Sequence, residues 1–445
     1  MATGTLRDSG LSLATAGSNF VLGIALSVLV ARALGPTGRG EYALVITTAN
    51  IAFMVVNLGL GQSLVYHIGR ELGARGAVFG TSLAVGVPLG LMAVAALALL
   101  YAAAGAWIWP GVSGGLLLLA AAATPLTLTN HLVQQFLVAT GRVGAYGILG
   151  VIGIASSLAL MAVALLLLGW GVFGAVVVGI VNSSLVAILG LALARNHAGL
   201  HLGCDRALLL RLLSFGARGH LGPLSAFLTY RLNTFLVNAF LGATALGHFA
   251  VGVSTAEAVL LLPNAVALIL LPRTSSLPMG ESATLVQLVN RTTIAVTAVA
   301  VVALAVVGRL VIVGFYGVAY APAIEPFLVL LPGMVLLGVP KILSTYITGR
   351  GKPQFNSLFS MVALLFNLAA NLALIPRYGL VGAALASTLA YAMMATFYVA
   401  AFAAMSRSGV WRTVLPQPQD AGLYLRAVGD VATTSWAVIR PRVGL

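Results

Sequence analysis

Residues 77–101 read AVFGTSLAVGVPLGLMAVAALALLY, a stretch that contains no charged side chain. A helix needs about 20 mainly apolar residues to cross the hydrocarbon core of a bilayer. Stretches of this kind recur along almost the whole chain, so the sequence predicts an all-α integral membrane protein. The composition agrees, with 60% hydrophobic and 7% charged residues and a mean hydropathy of +1.07, whereas soluble domains carry about 25% charged residues.

Glycine, proline and charged residues divide the chain into about twelve predicted transmembrane helices. The first, Leu11 to Leu34, ends in a small-x-small pattern, but it is longer than the roughly 7–15 apolar residues of a signal peptide and follows a weakly basic segment. We therefore interpret it as a membrane helix. The predicted spans are approximately residues 11–34, 42–66, 77–101, 114–138, 144–168, 172–194, 213–241, 249–270, 291–315, 325–345, 356–375 and 379–403.

An internal repeat relates the two halves of the chain, and it predicts two parallel six-helix bundles around a central cavity. The predicted domains are residues 1–200, residues 201–405 and a cytoplasmic basic tail, 406–445. An even number of helices per half gives both halves the same orientation, which favours transport by alternating access. The matches are Thr140-Gly141-Arg142 with Thr348-Gly349-Arg350, Gly171 with Gly379, Gly35 with Gly242, and Gly40 with Gly247.

The net charge of +14 comes mostly from arginines between the apolar runs, as membrane topology requires, and we expect no nucleic-acid partner. By the positive-inside rule, both termini are predicted to be cytoplasmic in a multi-pass protein of the cell (inner) membrane. The single cysteine, Cys204, excludes an internal disulfide, and the six histidines contain no HExxH motif. The sequence therefore predicts no catalytic residues, no metal site and no cofactor, and a protein that is not an enzyme.

Polar residues within the predicted helices are the candidate site, because ionisable groups in a membrane usually face the bundle interior or a wet cavity. Arg231 and Glu257 lie at similar predicted depths and are plausible ion-pair partners. For the uncharged residues, a cavity lining and a hydrogen bond to a neighbouring helix stay equally open. The predicted substrate-binding set is Arg231, Arg218, Asn233, Asn238, Asn57, Asn50, His131, Gln134, Asn367 and Lys341, with Glu257 as a coupling or ion-pair residue.

Several stretches resemble the polysaccharide (Wzx-type) flippases of the multidrug/oligosaccharidyl-lipid/polysaccharide exporter superfamily. They are ARALGPTGRGEY at 31–42, NLGLGQ at 57–62, YRLN at 230–233 and LIPRYGLVGAA at 374–384. The resemblance implies a flippase that moves a polyprenyl-pyrophosphate-linked oligosaccharide from the cytoplasmic to the outer leaflet. Arg231 matches the family arginine, for which the resemblance implies attraction of the pyrophosphate. Asn57 and Asn233 stand where the family often has aspartate, so proton or sodium coupling stays open.

Two other functions fit the same composition. The first is a cation-coupled exporter of small amphipathic molecules, which needs Glu257 as a protonation or sodium site. The second is a non-transport membrane scaffold or polymerase, although a polymerase should carry a group of acids, bases or metal ligands, and none is visible. The predicted partners are a lipid-linked oligosaccharide, membrane lipids and other polysaccharide-assembly proteins.

Overall fold

The computed structural model describes residues 2–70, 75–198, 203, 205–415, 417 and 420, without the side chains of residues 2–14, 16 and 196–198. Regular structure in these ranges is helical. Short π-helical turns follow α6 and α10, and 3₁₀ turns precede α9 and α11. The helices are α1 Ala2–Asn57, α2 Leu60–Arg70, α3 Arg75–Ile108, α4 Gly114–Ala121, α5 Thr124–Ala139, α6 Val143–Ala162, α7 Gly171–Ala198, α8 Arg206–Glu257, α9 Leu261–Ser276, α10 Met279–Val311, α11 Ile324–Gly349, α12 Gln354–Ser406 and α13 Val410–Val414.

Nine helical segments of the described chain are long and apolar enough to cross a membrane. Three of them contain one glycine whose backbone is not helical: Gly35 in α1 (φ 65°, ψ 179°), Gly242 in α8 (φ 83°, ψ 174°) and Gly379 in α12 (φ 56°, ψ −133°). Each break divides its segment into two membrane crossings. The nine segments thus account for the twelve predicted spans, and the chain is a multi-pass membrane protein.

The internal repeat is visible in the backbone. Gly171, which opens α7, also has a positive φ of 58°, and it is the sequence match of Gly379. Residues with a side chain rarely adopt a positive φ, so the two matched pairs, Gly35 with Gly242 and Gly171 with Gly379, keep glycine for a conformational reason.

The Thr-Gly-Arg match is wrong in register by two residues. After α5, the amides of Thr140, Gly141 and Arg142 donate to the carbonyls of Phe136, Val138 and Leu137. After α11, the same pattern starts at Arg350, and the positive φ falls on Gly351 (72°), as it does on Gly141 (74°). The turn geometry therefore aligns Thr140 with Arg350, and the matching tripeptide is displaced from the structural equivalence.

A local twofold contact joins the helical segments that follow Gly35 and Gly242. The hydroxyls of Thr37 and Thr244, which are 207 residues apart, are 2.8 Å apart. A Cβ atom on Gly40 would lie 1.8 Å from the Ala243 carbonyl oxygen, and one on Gly247 would lie 1.8 Å from the Pro36 carbonyl oxygen. Small residues permit such backbone contact between membrane helices. The two glycines are thus needed where repeat-related helices cross.

The chain packs as two compact units, one of residues 1–256, 307–330 and 360–387, the other of residues 257–306, 331–359 and 388–445. In the first unit, the buried side chains of α2, α3 and α5 form an apolar core that includes Leu64, Phe79 and Phe136. In the second, Thr274 donates to the Thr345 carbonyl at 3.1 Å. The predicted halves, 1–200 and 201–405, follow the repeat rather than these units, and they stay a prediction.

The predicted basic tail begins with an ordered segment. Helix α13 follows α12 closely, and Thr413 and Asp420 are buried. Residues 421–445, including the basic positions of the distal tail, lie outside the described residues, as does Cys204.

Candidate functional site: a polar cavity in the first unit

A polar cavity of about 350 Å³ lies among α1, α5, α6 and α7, all within the first unit. Two residues of the predicted binding set, His131 and Gln134, line it. The lining residues are Phe53, Thr127, Asn130, His131, Gln134, Leu149, Gly150, Gly153, Asn182, Ser183 and Val186.

Helix α5 supplies the polar wall because its polar residues follow helical spacing. Thr127, Asn130, His131 and Gln134 stand at i, i+3, i+4 and i+7, so they share one face of the helix. The opposite face carries fully buried leucines and phenylalanine. Asn130 is not in the predicted binding set, although it stands four residues before Gln134 and so shares its face of the helix.

Packing against α1 and α2 holds His131 in this wall. The His131 ring meets the Phe53 ring edge-on, with 5.5 Å between the ring centroids. A Cβ atom on Gly61 would lie 2.4 Å from the Nε2 atom of His131. Gly61 therefore permits α2 to approach the imidazole, and any side chain at this position would displace it.

Amide and hydroxyl groups form the α7 side of the cavity. Ser156 donates to Oδ1 of Asn182 at 2.6 Å, and Nδ2 of Asn130 donates to the Ser183 carbonyl at 3.0 Å. The Oδ1 atom of Asn130 is buried and accepts no hydrogen bond from any described residue, and the same holds for Asn19. Asn19 lies beside Gly150 of the lining, since a Cβ there would be 3.2 Å from its Nδ2 atom.

The chemistry of this cavity is neutral and rich in hydrogen-bonding groups. Within the part of the chain that the structure describes, its lining contains amides, hydroxyls and one imidazole, and no carboxylate. Among the described residues, no group of three or more histidine, cysteine, aspartate or glutamate side chains could hold a metal ion. Such a lining suits hydroxyl-bearing ligands, which both donate and accept hydrogen bonds.

The predicted asparagines of α8 and α12 are placed differently, in a buried network within the first unit. Nδ2 of Asn233 donates to the Ala383 carbonyl at 2.9 Å and to the Ser387 hydroxyl at 2.8 Å. Nδ2 of Asn371 donates to Oδ1 of Asn233 at 3.2 Å, and Nδ2 of Asn367 donates to the Thr229 carbonyl at 2.7 Å. For this group, the contacts favour helix–helix hydrogen bonding over a cavity lining.

This network also gives a physical reason for asparagine at position 233. A carboxylate accepts hydrogen bonds but cannot donate one to the Ala383 carbonyl. The amide of Asn233 donates twice and accepts once, so all its contacts are satisfied without a charge. The donor group of Asn233 thus joins α8 to α12, a contact that an aspartate at this position could not make.

The remaining uncharged candidates are scattered over the first unit. Asn238 is buried and donates to the Pro110 carbonyl at 3.1 Å. Asn57, at the end of α1, is also buried, and its Oδ1 atom accepts no hydrogen bond from a described residue. Asn50 is exposed. His220 of α8 is also buried, and its Nε2 atom is 2.7 Å from the Met54 carbonyl oxygen.

The charged candidates fall in both units. Arg231, in the first, is partly buried, and Arg218 is exposed. In the second, Glu257 and Lys341 interact electrostatically. The pairing of Arg231 with Glu257 stays a prediction, since these residues belong to different units.

His131 and Lys341 hold equivalent places in the repeat. Given the alignment of Thr140 with Arg350 described above, His131 stands on α5 where Lys341 stands on α11. Each repeat thus has one basic side chain at this position, His131 on α5 in the first and Lys341 on α11 in the second.

Comparison with protein families identifies the group to which the chain belongs. A family model described as "Polysaccharide biosynthesis protein" matches residues 29–325. The chain is a member of this polysaccharide biosynthesis protein family. A comparison with the curated proteins found no match.

Solved structures of membrane transporters share the fold. An inward-facing multidrug resistance MATE family transporter of the MOP superfamily is 16% identical, with a TM-score of 0.70 over 90% of this chain and 99% of that one. The lipid II flippase MurJ, in an inward closed conformation, is 13% identical, with a TM-score of 0.70 over 97% of this chain and 99% of that one. A MOP superfamily transporter from Pyrococcus furiosus is 15% identical, with a TM-score of 0.64 over 90% and 95%.

These matches confirm the resemblance to the exporter superfamily and the predicted fold class. The proteins that share the fold are transporters and a flippase, not enzymes. At this level of identity the structural likeness concerns the fold alone. The cargo must therefore be inferred from the residues of this chain.

Proposed function

We propose that the protein is a flippase that carries a polyprenyl-pyrophosphate-linked oligosaccharide from the cytoplasmic to the outer leaflet of the cell (inner) membrane, with both termini cytoplasmic. Its family membership supports a role in polysaccharide synthesis. The similar structures, which include a lipid II flippase, support a translocation step rather than a polymerisation step.

The observation that carries the proposal is the polar cavity of the first unit. Its amides and hydroxyls lie within a chain that is 60% hydrophobic. Polar groups inside a membrane cost free energy unless they bind a ligand or hydrogen-bond to one another. The hydroxyl and amide groups of the lining, such as those of Thr127 and Gln134, can exchange hydrogen bonds with sugar hydroxyls.

The pyrophosphate of the proposed cargo is negatively charged and requires a cation. Arginine binds phosphate through two parallel hydrogen bonds and keeps its charge, so Arg231 is the residue proposed to attract the pyrophosphate.

The decisive experiment is the location of the lipid-linked sugar in cells without this protein and in cells with single variants. We expect sugar-loaded lipid to accumulate on the cytoplasmic leaflet. Arg231→Ala should lower flipping about 10–100-fold, because a charge-assisted hydrogen bond contributes about 1.5–3 kcal/mol. Gln134→Leu should also lower it, whereas Gln135→Leu, next on α5 but outside the cavity lining, is the matched control. A normal lipid pool in the deleted strain would refute the cargo.

One observation favours a second function, cation-coupled export of small amphipathic molecules. Glu257 is a carboxylate within a candidate membrane span, and it interacts with Lys341. A proton or another cation could compete with Lys341 for this carboxylate. If this function is correct, Glu257→Gln should abolish efflux driven by an ion gradient while leaving sugar-lipid flipping unchanged.

A further inference from the structure

The segment after the last membrane helix is fixed to α10 by a buried ion pair. Arg291 donates from Nε to Oδ2 of Asp420 at 2.8 Å and from Nη2 to Oδ1 at 2.7 Å. Its Nη1 atom donates to the Arg412 carbonyl at 2.6 Å. The Arg291 and Asp420 side chains are only 7% and 1% exposed. Removal of either one would leave the other as an uncompensated buried charge, which is strongly destabilising.

Further hydrogen bonds fix the same segment along its length. Nδ2 of Asn290 donates to the Thr413 carbonyl at 2.9 Å, and both residues are fully buried. The Gln417 amide donates to Oδ2 of Asp420 at 2.8 Å. Arg412, Thr413 and Asp420 are therefore held against α10 within the second unit.

The outer side of this segment combines exposed apolar and basic side chains. Trp411 is 73% exposed, Leu415 is 48% exposed and Val410 is 44% exposed. Arg407 and Arg412 are exposed beside them. We refer to these five residues as the α13 surface.

The position of this surface in the chain points to its partner. Helix α12, the last membrane-crossing helix of the described chain, ends at Ser406, so the α13 surface follows directly where that helix leaves the bilayer. Tryptophan is enriched at membrane–water interfaces, and arginines there are attracted to anionic lipids. A soluble partner would not require these residues to stand so close to the end of a membrane helix.

We propose that the α13 surface is a pre-ordered docking site for the anionic phospholipid headgroups of the adjacent leaflet. Trp411, Val410 and Leu415 enter the headgroup region, Arg407 and Arg412 pair with lipid phosphates, and the Arg291–Asp420 pair holds the segment in position. The inference concerns bulk phospholipid and does not depend on the cargo.

The test uses full-length protein in vesicles of phosphatidylcholine with one quarter phosphatidylglycerol. Cys204→Ser removes the native thiol, and Gly409→Cys provides a labelling site, because a Cβ at Gly409 meets nothing within 4 Å. The label is an environment-sensitive fluorophore, and the quencher is a nitroxide placed either on phosphatidylglycerol or on phosphatidylcholine.

We expect stronger quenching by nitroxide phosphatidylglycerol. Each arginine near an anionic surface contributes about 1 kcal/mol, so Arg407→Gln and Arg412→Gln should each lower this preference about fivefold. Lys352→Gln, a change of an exposed cation elsewhere in the second unit, is the matched control. Equal quenching by the two lipids, or an unquenched label, would overturn the proposal.

A second variant pair tests the pre-ordering. Asp420→Asn should release the segment, lower the lipid preference and expose residues 410–420 to protease. The exchange Arg291→Asp with Asp420→Arg should restore the preference at least in part. If Asp420→Asn exposes the segment to protease but leaves the lipid preference unchanged, the ion pair does not position this surface.

Discussion

Replacement of Gly247 by alanine should separate the two repeat-related helices that cross near Thr37 and Thr244. The new Cβ would lie 1.8 Å from the Pro36 carbonyl oxygen, whereas ordinary contact begins at 3.4 Å, so the helices must move apart by about 1.6 Å. That displacement is enough to break the 2.8 Å hydrogen bond between the two threonines. Overpacking costs about 1–3 kcal/mol and the hydrogen bond contributes about 1 kcal/mol, so the crossing should lose about 2–4 kcal/mol.

Disulfide cross-linking measures this separation directly. In a Cys204→Ser background, Thr37→Cys and Thr244→Cys place two thiols at the crossing, and their oxidation rate reports how often the helices are in contact. Because the two cysteines replace the hydrogen-bonded threonines, only the overpacking cost of about 1–3 kcal/mol applies here, and we expect Gly247→Ala to lower this rate about 5–150-fold. Gly40→Ala should have the same effect, because its Cβ would be equally close to the Ala243 carbonyl oxygen.

The control and the refuting result are both defined by the structure. A Cβ on Gly179, a glycine within α7, meets nothing within 4 Å, so Gly179→Ala should leave cross-linking unchanged. Cross-linking in Gly247→Ala at the parent rate would show that the crossing tolerates a side chain, and the reasoning from close backbone contact would be wrong.

Three further outcomes are expected. Asn233→Asp should lower the thermal unfolding temperature in detergent, because the carboxylate cannot donate to Ala383 and an unsatisfied buried carbonyl costs about 1–3 kcal/mol. Gln354→Glu, the same amide-to-carboxylate change at an exposed position at the start of α12, is its control. Gly61→Ala should impair flipping with normal membrane insertion, because its Cβ would displace His131. The hydrogen bond from Arg291 holds the pKa of the Asp420 carboxyl below its ordinary value, so the contact contributes fully above about pH 4 and is lost as pH falls through the lowered pKa. Protease sensitivity of residues 410–420 should therefore stay constant from about pH 5 to 8, and a rise within that window would contradict the assignment.

The membrane helices and the repeat could be predicted because their signals are local. Apolar run length marks each span, and glycines such as Gly35 and Gly242 mark positions where the backbone must leave the helix. The Thr-Gly-Arg match failed because three identical residues carry less information about register than the turn around Gly141 and Gly351.

The site could be predicted only in part, because its contacts join residues far apart in the chain. Helical spacing placed His131 and Gln134 on one face, and that face lines the cavity. Spacing could not reveal that Asn233 bonds to Ser387, which is 154 residues later, or that Arg291 bonds to Asp420, which is 129 residues later. Asp420 follows the last membrane helix of the described chain, so helical spacing cannot relate it to Arg291 in α10.

The crossing of Gly40 and Gly247 also bears on how such a chain changes over generations. In a symmetric pair of identical six-helix polypeptides, a single codon would specify both glycines, and one substitution would alter both sides of the contact at once. In this single chain two separate codons must both specify glycine, and a substitution at either Gly40 or Gly247 is sufficient to disrupt the crossing. The internal repeat therefore gives these two positions no redundancy, whereas His131 and Lys341, at another pair of equivalent positions, differ.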